Sequence, residues 1–141
     1  MRLSNLADYA VVVMSETARH CGGGRINAGD LARATELPLP TVQKLVSKLS
    51  GAGLLRSARG SGGGLQLARP AAAITLADIV EAVEGPISLT PCAVGRDCGY
   101  DHHCQVRPHW PIVNAAVRDA LAAVRLVELA RAPQVEEVQT I

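Results

Sequence analysis

The sequence predicts a mainly α-helical fold: a winged helix-turn-helix with a small two-stranded β-wing and a long dimerisation helix. Three observations predict it. Two short segments with helical apolar spacing flank the tight break Glu36-Leu37-Pro38. Two short strand-like runs, the second of them alternating, bracket a glycine-rich turn. A proline-initiated aliphatic repeat runs from Pro111 to about Ala132. The 141 residues are 48% apolar but contain no Phe, one Trp and two Tyr. Small aliphatic side chains pack helices closely, which favours helix over a large sheet.

The first helix starts at Asn5 as its cap, with Asp8 in the favourable first turn. Leu6, Tyr9, Ala10, Val13 and Met14 recur at helical spacing, and Gly22-Gly23-Gly24 ends the element. Asn27 caps a short helix from Ala28 to Thr35, with Leu31 and Ala32 inward. After the break, a helix spans about Pro40 to Ser50, with proline in the first turn where a missing N–H costs nothing. Val42, Leu45, Val46 and Leu49 form its apolar face. Thr41, Gln43, Lys44, Ser47 and Lys48 are left outside, a set of hydroxyl, amide and ammonium groups suited to base edges and phosphates.

Leu54–Ser57 and Leu65–Ala68 read as paired strands. The turn between them holds Arg59 and Ser61 among four glycines, and an arginine there can enter a minor groove or clamp a phosphate. A nucleotide-binding glycine loop fails on context, because such loops open into a helix and these glycines open into a strand. Thr75, with Asp78 three residues on, starts a helix carrying Ile79, Val80 and Val83, and Gly85-Pro86 closes it. In the C-terminal helix Val113, Val117, Ala120, Val124 and Val127 alternate at four- and three-residue steps, a coiled-coil-like seam. A helix that long outreaches so small a head, so its seam is expected to meet a second copy. The expected layout is a DNA-binding unit over 1–85, a cysteine-rich loop over 86–110, the dimer helix over 111–132 and a frayed tail over 133–141.

Cys92, Cys98 and Cys104 lie with five residues between neighbours in a loop rich in Gly, Asp and His. That loop has little apolar content to fold around, so a thiolate-held metal centre is the expected source of order. No apolar run reaches a membrane span and no signal-peptide pattern opens the chain, so a cytoplasmic protein is expected. In that compartment clustered cysteines serve metals or redox switching more often than disulfides. Up to residue 69 the chain has nine Arg/Lys against four Asp/Glu; beyond it, five against nine. A basic front half and an acidic back half fit a phosphate-binding face joined to a separate module.

The chain resembles the iron–sulfur-cluster-binding winged-helix regulators of the IscR and NsrR type, most of all the regulators of the SUF assembly system. The resemblance rests on Met1-Arg2-Leu3-Ser4, Leu39-Pro40-Thr41-Val42-Gln43-Lys44-Leu45, Arg59-Gly60-Ser61-Gly62-Gly63-Gly64-Leu65 and Ile79-Val80-Glu81-Ala82-Val83-Glu84-Gly85, completed by the three spaced cysteines. It covers roughly residues 1–130. It implies a homodimeric repressor of cluster-assembly genes on double-stranded operator DNA, without membrane or small-molecule substrate. It implies a cluster on Cys92, Cys98 and Cys104, 2Fe–2S in preference to 4Fe–4S, plus one ligand that is not cysteine. Where IscR-like members place a histidine three residues after the last cysteine, this chain has Arg107. His109 is the nearest substitute, His102 and His103 are others, and Asp8 matches the partner-chain carboxylate of NsrR-like members. Cys21 is expected to be a structural thiol.

Rival readings remain open on the residues themselves. One is a nitric-oxide- or redox-sensing regulator of the same kind. Another is a zinc-stabilised winged-helix module that senses nothing, against which the wide cysteine spacing speaks. A cluster carrier or redox enzyme is a third, and no catalytic constellation supports it.

Overall fold

The computed structural model describes residues 2–20, 25–58, 63–96, 99 and 104–131. Helix α1 (Asn5–Arg19) is capped by Ser4, whose Oγ accepts from the Ala7 amide at 3.1 Å. The cap was expected one residue later, at Asn5. Ser4 takes the position with help from afar, since its own amide donates to Glu84 Oε1 at 3.0 Å. Ala7, Ala10, Val13 and Met14 are buried, while Leu6 and Tyr9 are half-buried at the edge of the stripe. The Thr17 hydroxyl, buried near the helix end, donates back to the Val13 carbonyl at 2.8 Å.

Helix α2 (Ala28–Thr35) is capped by Asn27, as expected, with Oδ1 accepting from the Asp30 amide at 2.7 Å. It ends at Glu36, the only described non-glycine residue with positive φ, at 58°. That left-handed residue makes the turn into α3 (Leu39–Gly51), where Val42, Leu45 and Leu49 are fully buried. The apolar spacing that placed these residues inward is therefore kept.

Strands β1 (Leu55–Ala58) and β2 (Gly64–Leu67) pair antiparallel with Leu55 opposite Leu67 and Ser57 opposite Leu65. Both bounds are one residue from those expected. The sheet is also joined by Ile26, whose carbonyl accepts from the Leu65 amide at 2.8 Å. This close crossing explains one glycine: a Cβ on Gly64 would stand 2.6 Å from the Arg25 Cβ. The tip of the wing, with Arg59 and Ser61, lies outside the described residues.

Helix α4 (Leu76–Glu84) has the full capping box: Thr75 Oγ1 accepts from the Asp78 amide and Asp78 Oδ2 from the Thr75 amide. Burial pushes the Asp78 pKa up, but those bonds and the Arg69 guanidinium at 3.1 Å outweigh it, so the carboxyl sits below its ordinary value. Gly85 closes the helix at φ 84°, a conformation that favours glycine.

The C-terminal part corrects the expected single helix from Pro111 to about Ala132. Helix α5 runs from Trp110 to Ala122 and stops; α6 spans only Leu126–Leu129. Between them the chain turns back to the head. The Val124 carbonyl accepts from the Leu76 amide at 2.8 Å, and the Leu126 amide donates to the Ile74 carbonyl at 2.8 Å. Leu126 is fully buried in the core with Leu31, Leu45, Leu49 and Ile79. These nonlocal bonds and this buried leucine outweigh the helical propensity of the segment. The expected seam splits accordingly: Val117, Val124 and Val127 are half-buried, whereas Val113 and Ala120 are exposed, and so are their α5 neighbours Ile112 and Ala116. Among the described residues no helix is long and apolar enough to cross a membrane.

Candidate nucleic-acid interface and cysteine segment

Burying Val42, Leu45 and Leu49 fixes which side of α3 faces outward. Gln43, Lys44, Ser47 and Lys48 are exposed and Thr41 is half-buried. Gln43 and Ser47 stand four residues apart, as do Lys44 and Lys48, so amide, hydroxyl and ammonium groups form two adjacent rows. Neither lysine is paired with a described acid, which leaves both ammonium groups available to phosphate. The basic excess of the front half thus includes a helix face able to meet an anionic partner. Arg56, which no sequence motif singled out, is exposed on β1 opposite Gln66.

The cysteine segment connects the end of α4 to the start of α5. Cys92 lies in a one-turn 3-10 helix, Pro91–Val94, packed against α5. Gly95, at φ 76°, closes that turn with its amide on the Cys92 carbonyl at 3.2 Å. The Thr90 hydroxyl is 3.2 Å from Cys92 Sγ. Cys104 lies near the far end of the segment, before a second turn, Arg107–His109, that leads into α5. Cys92 and Cys104 are free, half-buried thiols. Cys98, His102, His103 and Cys21 fall outside the described residues.

Two free thiols on one short segment are soft donors, the type that suits zinc, copper or iron–sulfur centres and not magnesium or calcium. The donor chemistry therefore fits a thiolate-held group. Convergence is a separate matter. Among the described residues no three side chains of Cys, His, Asp or Glu come together, so neither His109 nor Asp8 joins both thiols. His109 is exposed in the turn before α5, and Asp8 is exposed in the first turn of α1.

A further side chain, unmarked by any motif, organises the entry to this segment. Asn114 on α5 is 8% exposed, with Oδ1 accepting from the Leu89 amide at 2.8 Å and Nδ2 donating to the Ile87 carbonyl at 2.9 Å. One turn further along α5, Arg118 pairs with Glu81 of α4 at 2.9 Å, and the other Glu81 oxygen accepts from the Ile87 amide at 3.3 Å. The start of the segment is thereby tied to α4 and α5 together.

Known proteins are similar to this chain in sequence and in fold. The Rrf2 family, "Iron-dependent Transcriptional regulator", matches residues 3–132. The transcriptional regulator IscR of Vibrio cholerae is 31% identical over 138 residues, covering 98% of this chain and 80% of that protein. A putative transcriptional regulator, ORF2, of Azotobacter vinelandii is 30% identical over 138 residues, covering 98% and 84%. Among solved structures, CymR, the global cysteine regulator of B. subtilis, superposes with a TM-score of 0.75 at 32% identity, covering 92% of this chain and 96% of that one. IscR of T. potens gives 0.72 at 26%, covering 100% and 93%. These relatives regulate transcription and are not enzymes, in line with the expectation from the sequence. With its helix-turn-helix, two-stranded wing and near-complete match in length, the chain belongs to the Rrf2 family of transcriptional regulators.

Proposed function

We propose that the chain is an iron–sulfur-cluster-dependent repressor of cluster-assembly (SUF) genes, acting as a homodimer on operator DNA. Cys92, Cys98 and Cys104 hold the cluster, 2Fe–2S in preference to 4Fe–4S, with His109 or a partner-chain Asp8 as the fourth ligand. The observation that carries this reading is the placement of two free, half-buried thiols on the one segment that joins the head to α5. Bound there, a cluster supplies a link between thiolates that oxidants, nitric oxide or iron shortage can remove.

Everything else is work for the chain itself. Gln43 and Thr41 read base edges, while Lys44, Ser47, Lys48, Arg56, Arg59 and Ser61 hold phosphates or the minor groove. Two α3 helices of a dimer must reach successive major grooves about 34 Å apart. The segment from Gly85 to His109 sets how each head stands on α5. When the three cysteines are tied together the segment has one arrangement; when they are released it has more, and the two heads lose their common spacing.

The visible absorption spectrum of anaerobically purified protein tests this. Sulfide-to-iron charge-transfer bands are expected, abolished by Cys92→Ala, Cys98→Ala or Cys104→Ala and kept in Cys21→Ala. A colourless, zinc-loaded protein would overturn the cluster reading.

A further inference from the structure

The geometry points to Asn114 as the residue that positions the cysteine-bearing turn on α5. Its carboxamide is buried in a helix otherwise built from aliphatic side chains, Trp110, two charged residues and a proline. A polar group is costly there unless both ends are hydrogen-bonded. Both ends are used, and by backbone atoms two residues apart, the Ile87 carbonyl and the Leu89 amide. Backbone partners make the contact insensitive to the side chains of the segment. They fix the path of the main chain three residues before Cys92.

The tie continues down the segment. Thr90 follows Leu89 directly, its carbonyl accepts from the Ser88 hydroxyl at 2.9 Å and from the Ala93 amide at 3.2 Å, and its hydroxyl reaches Cys92 Sγ at 3.2 Å. From Asn114 to the Cys92 sulfur there is an unbroken run of hydrogen bonds and backbone. Asn114 is therefore a positioning residue. It holds the first thiol of the segment at a set place on α5 whether or not a group is bound. For its functional consequence this inference rests on the reading of Cys92 as a cluster ligand.

The test compares Asn114→Leu, which keeps the volume and removes both bonds, with Asn114→Ser, whose hydroxyl cannot span both groups. Leu31→Ala, in the core at α2 and away from the segment, is the control for lost stability. Amide exchange in the cluster-free full-length chain should rise about tenfold or more across residues 87–95 in both Asn114 variants, and not in the control matched for melting temperature. In cluster-loaded protein, bleaching by a chelator should accelerate about 10–100-fold in the Asn114 variants, the usual cost of losing a residue that orients a ligand. Exchange over 87–95 no faster than in the control overturns the positioning role, and so does chelator bleaching at the control's rate. A wild type that takes up no cluster sinks the proposed function instead, and the exchange measurement alone then decides the role of Asn114.

Discussion

Replacing Ile112 by Asp should separate the dimer without unfolding the head. Ile112 is 69% exposed and Val113 is 42% exposed on a helix whose other side already packs on the head. Fully burying an isoleucine contributes about 1.5–3 kcal/mol, so covering the exposed part of Ile112 contributes about 1–2 kcal/mol per copy. In the proposed two-fold dimer Ile112 would lie in the interface twice, for about 2–4 kcal/mol per dimer. Losing it weakens dimerisation by about 30- to 1,000-fold, and an unpaired carboxylate adds to the loss. Sedimentation over a concentration series reads the dissociation constant directly. Leu126→Ala is the contrast: it should cost about 2–5 kcal/mol of folding stability and leave that constant near the wild-type value. If Ile112→Asp retains the wild-type dimer constant, the exposed face of α5 is not the interface, and the assignment of α5 to dimerisation falls with it.

Lys48→Ala should weaken binding to all DNA sequences and lower the salt slope by about one, whereas Gln43→Ala should change preference among operator variants; equal losses on specific and random DNA for Gln43→Ala would contradict that division. Thr75→Ala removes one half of the capping box and should cost about 0.5–2 kcal/mol in denaturant unfolding, a loss that vanishes if α4 has no need of its cap. The folded-state pKa of Asp78 lies below its ordinary value, so its contribution is complete above the unfolded pKa and is lost as pH falls through the folded one. Asp78→Asn should accordingly flatten the acid limb of stability against pH, and an unchanged limb would show that Asp78 does not set it.

Local chemistry explains what was legible in the sequence. Asn27 and Thr75 each bond an amide three residues away, and such caps are written within one turn of chain. The apolar spacing of α3 places Val42, Leu45 and Leu49 inward with no need of partners elsewhere. What escaped the sequence is decided across the fold. Ser4 outcompetes Asn5 as cap while its amide reaches Glu84, and α5 stops at Ala122 because Arg125 bridges Thr75 and Leu126 enters the core. Ile26 joins the sheet through a bond to Leu65 that no alternation in its own segment announces. In the site, residue types were readable and their assembly was not. The thiols stand out by spacing, but Asn114 is a single amide in an apolar helix. Its signal was the head-facing spacing it shares with Trp110, Val117 and Leu121, which becomes visible once that face is known.

The proposal that the cysteine segment governs operator binding can be checked by one affinity comparison. Cluster-loaded wild type and the Cys92/Cys98/Cys104→Ala triple variant are titrated against the same operator at matched salt, with both first verified as dimers. The loaded protein should bind at least about tenfold more tightly, because a tied segment holds both heads at the spacing of successive major grooves. Equal affinities would contradict it, and would leave the chain an Rrf2 regulator whose DNA binding does not depend on its cysteines.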